Sequence, residues 1–267
     1  MRDSASRCLS RLRSRRVPAA SFRFRGFRLR IENVVDINTR TGQAGHEVLA
    51  AVLQVRQGSL QVLLWQRALA PHSGRWSLPG GRLCADEDVE ASIRRQLAEK
   101  VDVRQLAHVE QLAVFSAPDR VPGERVVATA FLGLVPCDND PELPNDTSWY
   151  PVEALPDTAF DHEAIVLRAR NRLRAKLSYT NLGFALAAPE FTVSALRELY
   201  SAALGYRVSA TNLQRVLSRR GLLEPTGHTA PPGPSGGRPA ALFRFTAGGI
   251  LVTDPFAVLR PPGSARA

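Results

Sequence analysis

WSLPGGRLCADEDVEASIRRQLAEKVDV, residues 76–103, is the stretch on which the reading of the fold turns. A glycine turn empties into a helix that carries a patterned set of charges. Positions 96, 99 and 100 are three and four residues apart, so on a helix they share one face. Only Glu99 on that face is acidic, beside the neutral Gln96 and the cationic Lys100. A hard divalent cation needs several charged oxygen ligands, and this face offers one.

The same stretch resembles the Nudix box, G-x5-E-x7-R-E-U-x-E-E-x-G-U with U aliphatic. Laying Gly81 on the first glycine puts Glu87, Arg95, Leu97, Glu99 and Val103 in register. Three positions depart: Gln96 and Lys100 stand where the box has glutamates, and Asp102 stands where it has its late glycine. In active members the carboxylates hold the Mg2+ that neutralises a pyrophosphate and activates water. The resemblance therefore implies a nucleotide-binding fold whose catalysis is lost or badly weakened. No catalytic residue and no metal ligand is assigned, and no cofactor is expected to be required.

A chain of 267 residues has room for two modest domains. It has no apolar run of membrane-spanning length. Its cysteines, Cys8, Cys84 and Cys137, are far apart and form no C-x-x-C, which fits a reducing, cytoplasmic setting and indicates neither disulfides nor zinc. The net charge of +10 is unevenly spread, with +9 in residues 1–31, −7 in 32–160, +3 in 161–178 and +5 in 179–267. An acidic domain is thus followed by a basic one, where a polyanion would bind.

Residues 1–31 read as a basic disordered tail, with an arm on DNA phosphates, an organellar-type leader and a later natural start of translation as alternatives. His46–Gln54 and Leu60–Gln66 are strand-length apolar runs about the turn signal Gln57-Gly58-Ser59, a predicted hairpin. Leu106–Ala117 and Arg125–Pro136 read as two further strands, and 146–155 as a short extended segment closing a first domain over 44–158. Asp161–Leu177 has a helical apolar spacing and reads as a linking helix whose arginines form a solvated face.

From residue 179 to 256 the pattern is different, before a short tail over 257–267. Tyr179–Ala187 reads as a short helix broken by Pro189, and Thr192 caps a helix to Leu204. After the turn Gly205-Tyr206-Arg207, Ser209 caps a second, basic helix that Gly221 ends. Two helices about a tight turn describe a helix-turn-helix. On the second, Leu213, Val216 and Leu217 make the buried stripe, leaving Thr211, Asn212, Arg215, Ser218 and Arg219 outward. Such side chains read base edges and hold phosphates. Leu222–Glu224 and Ala241–Phe245 are predicted as short strands about a Pro/Gly-rich loop, a wing carrying Arg238.

Taken together, the degraded box, the segment FSAPDRVPGERVV (115–127) and the C-terminal runs FTVSALRELYSAALG (191–205), NLQRVLSRRGLLEPTG (212–227) and GRPAALFRF (237–245) resemble the NrtR family of Nudix-related transcriptional regulators over about residues 44–250. The resemblance implies an α+β architecture, a Nudix-type α/β/α sandwich followed by a winged helix-turn-helix domain. It also implies a homodimeric repressor on a palindromic double-stranded operator near genes of NAD synthesis or salvage, tuned by a NAD-related nucleotide such as ADP-ribose. Carried onto this chain, the DNA-contacting candidates are Asn212, Gln214, Arg215, Arg219 and Arg238, joined by Thr211 and Ser218 from the outward face of the second helix. For the effector, a pyrophosphate calls for cationic forks. The candidates are Arg67, Gly80, Gly81, Arg95, Glu99, Phe115, Arg120 and Arg125, with Trp76 as a second aromatic able to stack on a base. The rival reading is an active Nudix pyrophosphohydrolase of ADP-ribose or a related dinucleotide, its C-terminal module serving dimerisation.

Overall fold

A computed structural model describes residues 44–103, 105–231 and 239–253. Residues 1–31, the tail from 257, and Arg238 lie outside the described residues. The hairpin forms from β1 (Gly45–Arg56) and β2 (Ser59–Gln66), with Arg56 opposite Ser59. Gln57 and Gly58 both take positive φ, 49° and 73°, the two-residue turn whose twist matches a hairpin. Short strands β3 (Trp76–Ser77) and β4 (Gly80–Arg82) lead to α1 (Val89–Val101), followed by β5 (His108–Phe115), β6 (Val126–Leu134) and β7 (Thr147–Pro151). The sheet order is β3-β2-β1-β6-β5, with β4 also on β1 and β7 on β2. Within this sheet β1 and β6 pair in parallel, Leu49 facing Ala130.

Residues 48–55 of β1 are all buried, because the sheet is covered on both faces. Alternate side chains go to opposite cores. Val48, Ala50 and Val52 pack with Ile93, Leu97 and Val101 of α1. Leu49, Ala51, Leu53 and Val55 belong to the larger core with α2 (His162–Tyr179), whose Ile165, Val166, Ala169, Leu173 and Leu177 are buried.

That larger core continues without a break into the C-terminal part, through a 3-10 turn (Leu182–Ala185), α3 (Val193–Leu204) and α4 (Ala210–Arg219). Gly183 is required where the turn meets α3: a Cβ there would lie 2.4 Å from the Tyr200 hydroxyl oxygen. The helix expected from Tyr179 is shorter than its sequence suggested. α2 itself runs to Tyr179, and only the 3-10 turn follows. Asn181 then ties residues 249–251 back, its Nδ2 donating to Gly249 O (2.8 Å) and its Oδ1 accepting from Leu251 N (2.6 Å).

The wing strands are β8 (Leu223–Ala230) and β9 (Ala240–Phe245). β8 extends through six residues that the sequence reading placed in a loop. Pro225 and Gly227 are accommodated because the register shifts between Pro225 and Thr229, a bulge in a two-stranded ribbon that needs no donor at the proline. Among the described residues no helix is long and apolar enough to cross a membrane. Cys84 and Cys137 are free thiols.

The polar side of α2 is not the free solvated face the sequence suggested. Arg170 and Arg174 pair with Glu153, each at 2.9 Å. Arg172 and Lys176 reach Glu110 on β5, which also contacts His108 Nε2 at 3.1 Å. Burial alone would raise the Glu110 carboxyl, but His108 and Lys176 outweigh it and hold the pKa at about 2 against an ordinary 4.5. Its stabilising contribution is therefore present above pH 4.5 and is lost as pH falls toward 2. Replacing Glu110 by Gln is expected to cost about 2–3 kcal/mol at neutral pH and to flatten the acid limb of the stability curve, checked by urea unfolding across pH 2–7.

Candidate nucleotide cleft and nucleic-acid interface

Asp88 caps α1, its Oδ1 accepting from Ala91 N at 2.8 Å. Just before it, Glu87 accepts from Cys84 N (3.0 Å) and from Arg95 Nε (2.9 Å) and Nη2 (2.6 Å). The Arg95 guanidinium holds the Glu87 carboxyl far below the usual carboxylate range. Arg95 Nη1 also meets Glu99 Oε2 at 3.1 Å. Arg95 is thus a brace between helix and loop, with both its carboxylate partners from the box.

The two substituted glutamate positions turn the other way, onto β4. Gln96 is buried and donates from Nε2 to Arg82 O at 3.3 Å. It covers Gly81, where a Cβ would sit 2.8 Å from the amide. One turn on, Lys100 Nζ donates to Gly80 O and lies 5.1 Å from the centre of the Trp65 ring. Asp102 ends the helix at φ 51° and ψ 26°, the left-handed geometry for which a glycine is ordinarily used.

Against β4 lies a cleft of about 350 Å³. Leu49, Trp65 and Leu78 wall it, Arg67 and Lys100 bring positive charge and Glu47 one negative charge, and Gly80 and Gly81 line one side. Phe160, at φ 54°, presents its ring to the Arg67 guanidinium at 4.8 Å. His162, also lining the cleft, accepts Leu78 N–H at Nδ1 (2.9 Å), which leaves the ring proton on Nε2. Burial pushes its pKa down to about 3, so it is neutral at physiological pH. A cationic pair beside aromatic and apolar walls suits an anionic nucleotide.

The residues present do not fit Mg2+. The helix face that would hold it offers an amide and an ammonium, Glu87 is held by Arg95, and Glu99 is turned to Arg95 as well. Among the described residues no three His, Cys, Asp or Glu side chains converge on one point.

Of the residues expected around the effector, the structure brings Arg67, Gly80 and Gly81 into the cleft and leaves the others elsewhere. Arg95 and Glu99 pair on the outer side of α1. The Arg120 side chain is 1% exposed, bound to Asp161 (3.0 and 2.7 Å) and Glu47, so its charge is consumed inside the fold. Arg125 is exposed and donates to Ala117 O at 3.3 Å. Phe115 is on β5 under Arg168, and Trp76 packs edge-on against Tyr150 at 4.7 Å. Sequence reasoning missed Glu47, Trp65, Phe160 and His162. His162 follows the predicted N-terminus of the linking helix and could have been noticed there; nothing local marks Phe160.

In the C-terminal part, Thr192 Oγ1 caps α3 by accepting from Ala195 N (3.1 Å), and Gly205 ends it at φ 78°. Ser209 caps α4. That helix closes when Gly221, at φ 67°, donates to Ser218 O (2.9 Å) and Leu222 to Leu217 O (3.0 Å), the paired bonds of a Schellman motif. Leu213 and Leu217 face inward, while Thr211, Asn212, Arg215, Ser218 and Arg219 are exposed and Gln214 is half-buried. Arg215 Nη2 donates to Asn212 Oδ1 at 2.8 Å, pre-aligning two groups able to read base edges. Val216 is only half-buried, so the inward stripe is narrower than expected.

Comparison with known proteins matches both parts. A NUDIX domain model matches residues 45–169, and a model of the NrtR DNA-binding winged helix domain matches 183–245. An ADPR responsive transcriptional repressor NtrR from Acinetobacter baylyi is 32% identical over 202 residues, 73% of this chain and 79% of the relative. The crystal structure of Shewanella oneidensis NrtR complexed with a 27mer DNA superposes with a TM-score of 0.64 at 30% identity, covering 74% of this chain and 92% of that one. An ADP-ribose pyrophosphatase from Methanocaldococcus jannaschii is similar over the first part alone, 30% identical over 112 residues, 40% of this chain and 63% of that protein. With the Nudix fold and the winged helix joined in the same order as in these regulators, the chain belongs to the NrtR family.

Proposed function

We propose that this protein is a homodimeric transcriptional repressor that binds a palindromic operator at genes of NAD synthesis or salvage and senses a NAD-related nucleotide, ADP-ribose, in the cleft beside β4. The observation that carries the reading is the polar face of α4, with Thr211, Asn212, Arg215, Ser218 and Arg219 exposed opposite buried Leu213 and Leu217, next to a two-stranded wing. Each subunit lays α4 in a major groove, and the two-fold axis of the dimer coincides with that of the operator. Arg238 of the wing, outside the described residues, is assigned to the adjacent backbone or groove.

The cleft reports to the DNA-binding helices through α2. His162, in its first turn, lines the cleft. Arg174, near its other end, donates to Ala203 O on α3 (3.2 Å) and lies where a Cβ on Gly205 would be. A nucleotide releases DNA only to the extent that it favours the arrangement unable to bind it, by typically about 1–3 kcal/mol. The protein is not an enzyme on this reading, because Gln96 and Lys100 spend the metal-facing positions on Gly80 and Arg82 carbonyls.

A second reading, an active pyrophosphohydrolase, is favoured by the likeness of the first part to an ADP-ribose pyrophosphatase. The two separate cleanly. Purified protein with ADP-ribose and Mg2+ is expected to release no AMP and ribose phosphate; turnover that disappears in Glu99→Gln would overturn the repressor-only account. In fluorescence anisotropy with DNA from upstream of NAD-synthesis genes, Arg215→Ala and Arg219→Ala are each expected to lose about 1–3 kcal/mol of specific binding if they read bases. A residue that touches phosphate instead flattens the salt slope by about 0.9 per contact. Arg67→Ala is expected to leave the operator complex intact when ADP-ribose is added, whereas ADP-ribose weakens the unaltered protein's complex by about 5- to 150-fold.

A further inference from the structure

In the cleft, Lys100 occupies a position with two properties of a cation site. Its ammonium sits on the Gly80 carbonyl oxygen, a group that ligates hard cations as readily as it accepts a hydrogen bond. It also faces the same cleft as Arg67. An ammonium has three donors, and the Gly80 carbonyl takes one. Among the described residues no carboxylate forms an ion pair with Lys100, and Glu47, which lines the same cleft, is paired with Arg120. Trp65 presents its ring to the ammonium at 5.1 Å, a cation–π contact. Gln96, one turn earlier, repeats the arrangement on Arg82 O. Two consecutive turns of α1 therefore present donors to β4 where the Nudix pattern has acids.

We propose that the Lys100 ammonium takes the place of the divalent cation, so that this cleft binds a diphosphate-bearing nucleotide without metal, with Lys100 and Arg67 neutralising the bridge. The inference rests on the reading of the cleft as the nucleotide site. Its chemistry is direct. A dication at Gly80 O would have to displace the ammonium or share its site at like-charge repulsion, with Glu99 as the only acid on that helix face and already paired to Arg95. A fixed ammonium supplies positive charge to a diphosphate but cannot lower the pKa of a bound water as a metal does. Recognition is thereby kept while the hydrolytic function is removed.

The test is calorimetric titration of the full chain with ADP-ribose, once in EDTA and once in Mg2+, beside Mn2+ binding followed by electron paramagnetic resonance. The expected result is equal affinity within about twofold in the two buffers, and no Mn2+ held by the unaltered protein. Lys100→Met is expected to weaken ADP-ribose about 10- to 100-fold in both buffers, and Lys100→Arg to retain metal-independent binding. The double variant Gln96→Glu/Lys100→Glu is expected to acquire one Mn2+ site and to bind ADP-ribose only with metal present. Circular dichroism melting of each variant separates a local effect from loss of fold. A Mg2+ requirement in the unaltered protein, a Mn2+ site in it, or unchanged binding by folded Lys100→Met overturns the inference. If ADP-ribose binds in neither buffer while Mn2+ is gained only by the double variant, the substitution of ammonium for metal stands and the choice of effector is what fails.

Discussion

Strand β1 has to be covered on both faces, and much of the molecule follows from that constraint. Eight consecutive buried residues, 48–55, leave no solvated side. A central strand of this kind contributes stability only when each alternate row of side chains meets its own apolar layer. The box helix supplies one layer, and α2 supplies the other. Because α2 is long enough to reach beyond the sheet, its inner stripe is shared with the helices that follow it. The Nudix part and the winged-helix part are consequently packed as neighbours in one core and are not tethered by a free linker.

The same constraint explains why the box can lose its acids and keep its shape. Its structural work is done by Ile93, Leu97 and Val101 underneath, by the Glu87–Arg95 brace, and by the left-handed turn at Asp102. None of these depends on a metal. Gln96 and Lys100 are free to change character so long as they satisfy the carbonyls of β4, and both do. The separation between the framework of a site and its chemistry is visible within one helix.

Much of the fold was legible in the sequence because it rests on local signals. The hairpin is marked by Gln57-Gly58, the helix starts by Asp88, Thr192 and Ser209, and the end of α4 by Gly221, all devices that operate within a few residues. The site was less legible, since a cleft is assembled from segments distant in the chain. Arg120 looked like a ligand because it sits in a distinctive motif, but what fixes its role is the arrival of Glu47 and Asp161 from elsewhere. Phe160 carries no signature at all: its place depends on a positive φ that only the surrounding packing enforces. The extension of β8 through Pro225 was hidden for a related reason, since a bulge lets a ribbon tolerate residues that argue against a strand.

The parallel pairing of β1 with β6 has a consequence for how the protein is made. The two strands are about eighty residues apart in the chain, and a parallel neighbour cannot be supplied by a nearby turn. While the chain emerges from the ribosome, β1 and its hairpin partner wait with an open apolar edge until β6 has been synthesised, and the face destined for α2 waits longer still. The first half of this regulator is therefore the part most in need of protection from wrong partners during its own synthesis.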